Sequence, residues 1–328
     1  MPDRPVISVV TPTFNRREVL ARALDSVRAQ TVVDFEHIVV DDGSEDGSVE
    51  MCRRFGDPRI RVHRLDARRG ANHARNEGVK LASAPVVTFL DSDDEFLPDR
   101  LERVLEVLAE ESDVDLVLSS FRVRTPAAEV ASVNRDQRLD GAWFEELLMW
   151  HALYLGGSSI TLRRDLARRF PWAAELRRMQ DREVLLHMAV RHRVGSRTPW
   201  VRILAGVDWV KHESADSISA PADGFVRALG EMMAIHPDLL ARHDLAVRYQ
   251  VVRHLKRQLA GRQGRLVVAA LRENARAPHF RFPLPALLAA YWQGRAIRRQ
   301  MIGVGMRGVA PVPGVAVGPA RSVTSRAA

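Results

Sequence analysis

The feature that most constrains how this chain can fold is a series of short apolar runs that break off into polar loops and are followed by helical periodicity. Val6–Thr11 ends at Pro12, Phe35–Val40 breaks into Asp41-Asp42-Gly43-Ser44, and Val86–Leu90 breaks into Asp91-Ser92-Asp93-Asp94. Runs this continuous in β-branched and aliphatic residues read as strands buried on both faces. After the first, Val19, Leu20, Ala23, Leu24 and Val27 fall at helical spacing, with Asn15 placed to cap that helix. Helices are also predicted over Ser48–Phe55, over Ala71–Ala82 and from Pro98 onward, where Leu101, Val104, Leu105 and Leu108 share one face. Ile60–Leu65 reads as a less apolar, peripheral strand and Asp115–Phe121 as another. Alternating strands and helices imply βαβ units and a mostly parallel sheet covered on both faces. Ligands of such sheets bind beyond the carboxyl ends of the strands. The loops after Thr11, Val40 and Leu90, rich in Asp, Asn, Gly and Ser, lie in those positions.

Of the 328 residues, 46% are hydrophobic, enough for a sizeable core. One cysteine, Cys52, cannot form an internal disulfide, so the fold does not need an oxidising compartment. Met1–Arg4 lacks the pattern of a secretory signal, and no run of roughly 18 apolar residues occurs. The expected location is therefore cytoplasmic. The net charge of +8 is uneven: from Phe225 onward, Lys and Arg number 17 against 4 Asp and Glu, while the rest carries 32 against 37. A basic region on a mildly acidic body suits nucleic acid or an anionic membrane surface, and equally suits solvated helix faces. Nucleic-acid binding has no other support, since the sequence holds neither a P-loop nor zinc-type Cys/His spacing.

Asp91, Asp93 and Asp94 crowd three carboxylates at the end of one buried strand. Such crowding is unfavourable unless positive charge neutralises it, and a hard divalent cation such as Mg²⁺ or Mn²⁺ does so with oxygen ligands. The plainer alternative is an acidic loop in which Asp94 or Glu95 favours the start of the next helix. Asp42 can accept a hydrogen bond from a base N–H or a ribose hydroxyl, or can organise its own turn. Thr11-Pro12-Thr13-Phe14-Asn15 is a third loop in position, or a plain connection.

Together these segments carry a resemblance. Val9-Val10-Thr11-Pro12-Thr13-Phe14-Asn15-Arg16, Val39-Val40-Asp41-Asp42-Gly43-Ser44-Glu45-Asp46, Gly70 with Ala74-Arg75-Asn76-Glu77-Gly78, and Thr88-Phe89-Leu90-Asp91-Ser92-Asp93-Asp94 through Leu97-Pro98-Asp99-Arg100-Leu101 resemble, in order and spacing, the blocks of family 2 glycosyltransferases. The match covers Pro5 to about Ser120, with a weaker echo to about Ser219. The resemblance implies a GT-A-type, Rossmann-like, mostly parallel sheet flanked by helices, with a C-terminal helical extension. It implies inverting transfer of a sugar from a nucleotide diphosphate donor, a UDP-sugar by analogy, to a hydroxyl of a glycan, a lipid-linked saccharide or a small molecule. By the same resemblance Thr11, Pro12 and Asn15 line the base and ribose pocket, and Asp42 contacts the base. Arg75 faces the donor unless it is a solvated helix residue, Asp91 and Ser92 meet the ribose or donor sugar, and Asp93 with Asp94 ligates the metal.

The family keeps an acid near a helix start after a Gly/Ser turn, often as Glu-Asp. Here Gly156-Gly157-Ser158-Ser159 reads as a flexible turn, and Met179-Gln180-Asp181-Arg182 stands in the later place. Asp181 is the candidate general base, with Gln180 replacing the first acid of the pair. The alternative for Asp181 is a helix cap or a partner of Arg177 or Arg178. His212, in Val210-Lys211-His212-Glu213-Ser214, resembles a late histidine of the family that completes the metal shell or donates to the diphosphate, and Ser217-Ile218-Ser219 after it fits too. His151, His187 and His192 read as ordinary helix residues. The expected organisation is a catalytic domain over 1–222, divided at 120 into nucleotide-sugar and acceptor halves, then a basic helical extension over 223–302 and a disordered tail over 303–328. Trp292 with Arg295, Arg298 and Arg299 either makes a peripheral contact with the inner face of a membrane or belongs to a packed helical cap. A sugar nucleotidyltransferase is disfavoured because Thr-Pro-Thr-Phe-Asn occupies the place of a Gly-rich basic loop. A non-catalytic sugar-binding module is disfavoured by the intact Asp42, Asp91, Asp93 and Asp181.

Overall fold

In the computed structural model, residues 4–191, 200–213, 224–261, 264–276 and 282–311 are described. His192 and the segment Ser214–Ser219 singled out from the sequence lie outside them. The first half alternates as the sequence predicts: β1 (Ile7–Thr13), α1 (Arg17–Arg28), β2 (Phe35–Asp41), α2 (Ser48–Arg54), β3 (Ile60–Arg64), α3 (Ala71–Leu81) and β4 (Val86–Phe89). β1 pairs in parallel with both β2 and β4, and β3 lies outside β2 at the sheet edge, as its weaker apolar pattern suggests. β1 and β2 are buried along their whole length, which explains their unbroken hydrophobic runs. α3 packs against β1 so closely that a Cβ on Gly78 would come within 2.3 Å of Val10 Cγ1, so only glycine suits that crossing.

After β4 the chain forms the two-residue β5 (Glu95–Phe96) and α4 (Arg100–Glu110), then enters a mixed half. There follow β6 (Val114–Arg124), β7 (Glu129–Asn134), β8 (Gln137–Leu139), α5 (Gly141–Met149), β9 (Ile160–Arg163), α6 (Arg164–Arg169), α7 (Gln180–Arg191) and β10 (Trp200–His212). β9 runs antiparallel to β4 and β6 and joins the two halves, while β10 lies parallel to β6 along its length. The Gly156–Ser159 segment, expected to be flexible, is instead a buried 3₁₀ turn over Gly157–Ser159.

The basic C-terminal region folds as α8 (Phe225–Ile235), α9 (Pro237–Ala260), α10 (Gly264–Arg276) and α11 (Leu284–Gly305). It packs on the body as a cap. Val226, Leu229, Met233, Val247 and Leu287 belong to the same buried cluster as Val10, Phe89 and Leu118 of the sheet. Two buried hydrogen bonds also cross the junction, between His236 Nε2 and Glu183 Oε1 at 2.8 Å and between His243 Nε2 and Glu145 Oε1 at 2.7 Å. Among the described residues no helix is long and apolar enough to cross a membrane. The expected tail from 303 is corrected in its first part: α11 continues to Gly305, and β11 (Met306–Pro311) pairs antiparallel with β7, closing the sheet edge opposite β3. Scattered Gly and Pro hid a strand whose backbone bonds need no helical period.

Candidate active site

The tips of β1, β2 and β4 open on one cleft of about 990 Å³, whose far wall is built by the Gly156–Gly157 turn, the start of α7 and the end of β10. Of the residues expected at the site, Pro12, Asp42, Arg75, Asp91, Ser92, Asp93, Asp94, Asp181 and His212 all border it. Positions scattered from 12 to 212 in the chain are thus brought to one place.

Asp42 is anchored rather than free. Its two carboxylate oxygens accept from the backbone N–H groups of Arg69 and Gly70, each at 2.7 Å. This clamp draws the start of α3 against the tip of β2 and leaves further lone pairs directed by a fixed carboxylate. It is a bond across 27 residues, not the local turn considered as an alternative. Arg68 stacks over the ring of Phe14, 4.0 Å from its centroid, and closes the same end of the cleft.

Arg75 is buried, not a solvated helix residue. Its Nη2 donates to Asp91 Oδ1 at 2.7 Å, its Nη1 donates to Asn72 Oδ1 and to Gln180 Oε1, both at 3.0 Å, and its guanidinium lies 4.6 Å from the Trp172 ring. Gln180 thus serves as a neutral acceptor for an arginine already paired with Asp91. A Cβ on Gly157 would lie 3.1 Å from Asp91 Oδ1, so the turn approaches the carboxylate more closely than a side chain readily allows.

The Asp91–Asp94 turn is closed by Asp94 N–H donating to Asp91 O at 3.0 Å. The Ser158 hydroxyl braces it, accepting from Asp91 N–H at 3.0 Å and donating to Asp94 Oδ2 at 2.8 Å. Asp94 Oδ1 accepts from His212 N–H at 3.2 Å. Burial, followed by the charges of Asp91 and Asp93, pushes the Asp94 carboxyl well above the usual carboxylate range. The Asp93 carboxyl is also raised, first by burial and then by the charge of Asp91, with Arg16 and Lys211 opposing. No hydrogen bond from another described residue reaches the Asp93 side chain. The His212 ring lies with Nε2 3.4 Å from Glu95 Oε1, too long for a strong hydrogen bond, and burial and the charge of Arg22 hold it below the ordinary histidine range.

Three expected residues are placed differently from their expected roles. Thr11 is fully buried with its hydroxyl 2.8 Å from His37 Nε2, so Pro12, Thr13 and Phe14 border the cleft in its place. Asn15 neither borders the cleft nor caps α1. It sits at φ 51°, its Oδ1 accepts from Glu45 N–H and its own N–H donates to Ser44 Oγ, which ties the β1 loop to the β2 loop. Asp94 has both oxygens engaged inside the protein and acts as the anchor of the acidic turn. Asp181 stands in the first turn of α7 with Oδ1 accepting from Arg182 N–H at 2.9 Å.

A buried ion pair beneath the turn has no counterpart in the sequence reading. Arg100 Nη1 donates to Asp208 Oδ1 at 2.6 Å and to Ser119 Oγ at 2.7 Å, and its Nη2 donates to Ser158 O at 2.8 Å. Neither charged residue is exposed. Arg100 therefore supports, through Ser158, the turn that carries Asp91 and Asp94. The available signal was an arginine within an otherwise apolar helix face, two residues after Pro98.

Residues 8–167 match the model of the family described as glycosyl transferase family 2. The chain is 39% identical over 102 residues to the succinoglycan biosynthesis protein ExoO of Rhizobium meliloti, covering 31% of this chain and 29% of that protein. It is 35% identical over 118 residues to the glycosyltransferase GlyG of Streptococcus pneumoniae, covering 35% of this chain and 39% of that protein. The chain thus spans less than half the length of these curated relatives. Among solved structures, S. aureus TarS 1-349 in complex with UDP-GlcNAc superposes with a TM-score of 0.63 at 16% identity, over 90% of this chain and 89% of that one. The mannosyltransferase PcManGT of Pyrobaculum calidifontis, in complex with GDP-Man and Mn²⁺, gives 0.54 at 21% identity, over 92% and 84%. The sheet order, the acidic strand tips and these likenesses agree: residues 8–167 are similar to glycosyltransferase family 2, and the fold is of the GT-A type.

Proposed function

We propose that the chain transfers a glycosyl group, with inversion, from a nucleotide diphosphate sugar to an acceptor hydroxyl, with Mg²⁺ or Mn²⁺ held at Asp93. The state of Asp93 carries this reading: a carboxylate in the cleft, without a donor from another described residue and pushed up by burial and a neighbouring charge. A hard divalent cation supplies the missing charge and, when bound, draws negative charge from the departing diphosphate. Among the described residues no three His, Cys, Asp or Glu side chains are grouped to enclose a metal. That suits Mg²⁺, which keeps waters and takes one or two carboxylates plus substrate phosphates. The imidazole of His212, which also borders the cleft, is the second candidate ligand.

The chain's own residues divide the remaining work. Asp42, fixed by its two backbone donors, accepts from the base, with Pro12 and Phe14 against the nucleoside. The Arg75–Asp91 pair holds the ribose or donor sugar, and Ser92 lies beside it. Asp181 removes the proton of the acceptor hydroxyl as the new glycosidic bond forms. The neighbours bound to UDP-GlcNAc and GDP-Man support a sugar nucleotide as donor, with UDP the working choice. The relative named for succinoglycan biosynthesis supports a cell-surface saccharide as the end product. The exposed Leu288 and Trp292 beside Arg295 and Arg299 support peripheral docking on an anionic, inner membrane face.

A panel of sugar nucleotides tested for metal-dependent protection against thermal unfolding examines the reading. One donor is expected to protect only with Mg²⁺ or Mn²⁺, and Asp93→Ala is expected to lower turnover roughly 10²-fold or more, the equivalent of several kcal/mol of lost charge stabilisation. Asp181→Asn should keep donor protection and lose transfer. Absence of protection by every donor, or protection by metal and donor undiminished in Asp93→Ala, rejects it.

A further inference from the structure

Between α6 and α7 the chain forms neither helix nor strand, yet side chains of one helix pin it at several points. Asn72, Arg75 and Asn76 of α3 lie at helical spacing and share a face. Asn76 grips Trp172 from both sides, its Oδ1 accepting from Trp172 N–H and its Nδ2 donating to Trp172 O, each at 2.9 Å. Asn72 Nδ2 donates to Ala173 O at 2.6 Å and to Leu176 O at 3.3 Å. Arg75 Nη1 donates to Gln180 Oε1 at 3.0 Å, and Gln180 Nε2 turns back to donate to Leu176 O, also at 3.0 Å. The buried Trp172 indole lies beside the Arg75 guanidinium and meets Phe89 of β4 edge-on at 5.1 Å.

A connection of this kind is ordinarily the mobile part of a site. Holding it at Trp172, Ala173, Leu176 and Gln180 fixes where α7 begins. The Asp181 carboxylate accepts from Arg182 N–H, a bond inside its own helical turn, so its place follows that beginning. The start of α3 is meanwhile clamped to Asp42, and Arg75 pairs with Asp91. One helix therefore grips the carboxylates at the tips of β2 and β4 and the segment that carries the acid of α7. The amide at 180 suits the last of these contacts. A carboxylate there would accept from Arg75 but would have no proton to offer Leu176 O.

We propose that the polar face of α3 sets the spacing between the Arg75–Asp91 pair and the Asp181 carboxylate, with Asn72, Asn76 and Gln180 as positioning residues that act through Asp181. This deepens the reading of the cleft as a glycosyl-transfer site and rests on it. Arg75 keeps Asn72 and Asp91 as partners when Gln180 is removed, so the donor side stays in place while the start of α7 loosens. Since a misplacement of about 1 Å costs on the order of 10²-fold in rate, the effect falls on turnover rather than on donor binding.

The test compares the full chain with Gln180→Ala and Gln180→Glu. UDP-GlcNAc, UDP-glucose and GDP-mannose are supplied in turn with Mn²⁺, and release of UDP or GDP is followed with water in the acceptor's place. Binding of UDP with Mn²⁺ is measured separately by calorimetry. Gln180→Ala is expected to lower kcat about tenfold, with donor KM and UDP affinity held within about twofold. Gln180→Glu, which keeps an acceptor for Arg75, is expected to recover kcat to within about threefold of the unaltered chain. An unchanged kcat in Gln180→Ala overturns the proposal, and if the melting temperature falls at the same time the contact serves stability alone. UDP affinity falling in step with kcat overturns it too, because Gln180 then belongs to the donor side. Gln180→Glu as slow as Gln180→Ala also overturns it, since the bond to Arg75 would not be what places the base. An unaltered chain that releases nucleotide from none of the donors rejects the glycosyl-transfer reading and this role with it, whereas release undiminished in Gln180→Ala rejects this role alone.

Discussion

His37 and Thr11 meet inside the sheet, on adjacent strands, with the imidazole Nε2 2.8 Å from the hydroxyl and no exposed surface on either residue. Burial pushes the His37 imidazole down to about 3, against the weak opposing charge of Asp57. A histidine depressed in the folded state stabilises the fold above its unfolded pKa near 6.5 and withdraws that stability as pH falls toward 3. Below pH 6.5 the slope contributed by this one proton is up to about 1.4 kcal/mol per pH unit. His37→Phe should begin less stable at pH 8, having lost the Thr11 contact, and should show a shallower decline between pH 6.5 and 4.5 in urea unfolding. An unchanged slope would remove His37 from the acid response. The same residues show what the sequence could convey. Asp42, Asp91, Asp93 and Asp181 were legible because the strand and helix ends that carry them were. The orientations of Thr11 and Asp94 were not, because they are set by His37, 26 residues away, and by Ser158, 64 residues away, and no local pattern encodes such partners.

At the level of elements, the parallel strands β1, β2 and β4 were legible as apolar runs, whereas β7, β8 and most of β10 were not. β10 carries Arg202, Asp208 and Lys211, and its pairing with β6 shifts register around Leu204–Val207 and again before Trp209, which breaks any period of two. The Arg100–Asp208 pair ties this irregular strand to α4 and to the turn that holds the acidic cluster. Burial pushes the Asp208 carboxyl up and the Arg100 guanidinium down, each opposed by the charge of its partner. Breaking such a pair from one side leaves an unpaired buried charge, so Arg100→Met should cost about 3–5 kcal/mol in urea unfolding. Arg100→Met/Asp208→Leu should recover much of that loss while still weakening donor binding, because Ser158 O loses its donor. A single-variant cost below about 1 kcal/mol would show that the pair does not hold β10.

Over the whole molecule, charge and apolar surface are distributed together. Leu259, Leu288 and Trp292 of the C-terminal cap are 62%, 54% and 69% exposed, and on α11 Leu288, Trp292, Arg295 and Arg299 share a helical face. Co-sedimentation with vesicles is expected for an anionic phosphatidylglycerol mixture and not for phosphatidylcholine alone, with Leu288→Glu/Trp292→Glu abolishing it and 0.5 M salt weakening it. Equal sedimentation of the variant would locate any membrane contact elsewhere. The sequence showed the basic helices but left open whether they packed on the body, since Glu145 and Glu183 pair with His243 and His236 only across the finished junction. β11 adds a consequence in time. It is the last described segment and supplies the outer neighbour of β7, so a nascent chain on the ribosome carries a naked β7 edge until Pro311 has emerged. Translation that stalls in α11 should therefore release a protein with the cleft at the tips of β1, β2 and β4 formed and one sticky border, a substrate for chaperones rather than a shortened version of the finished fold.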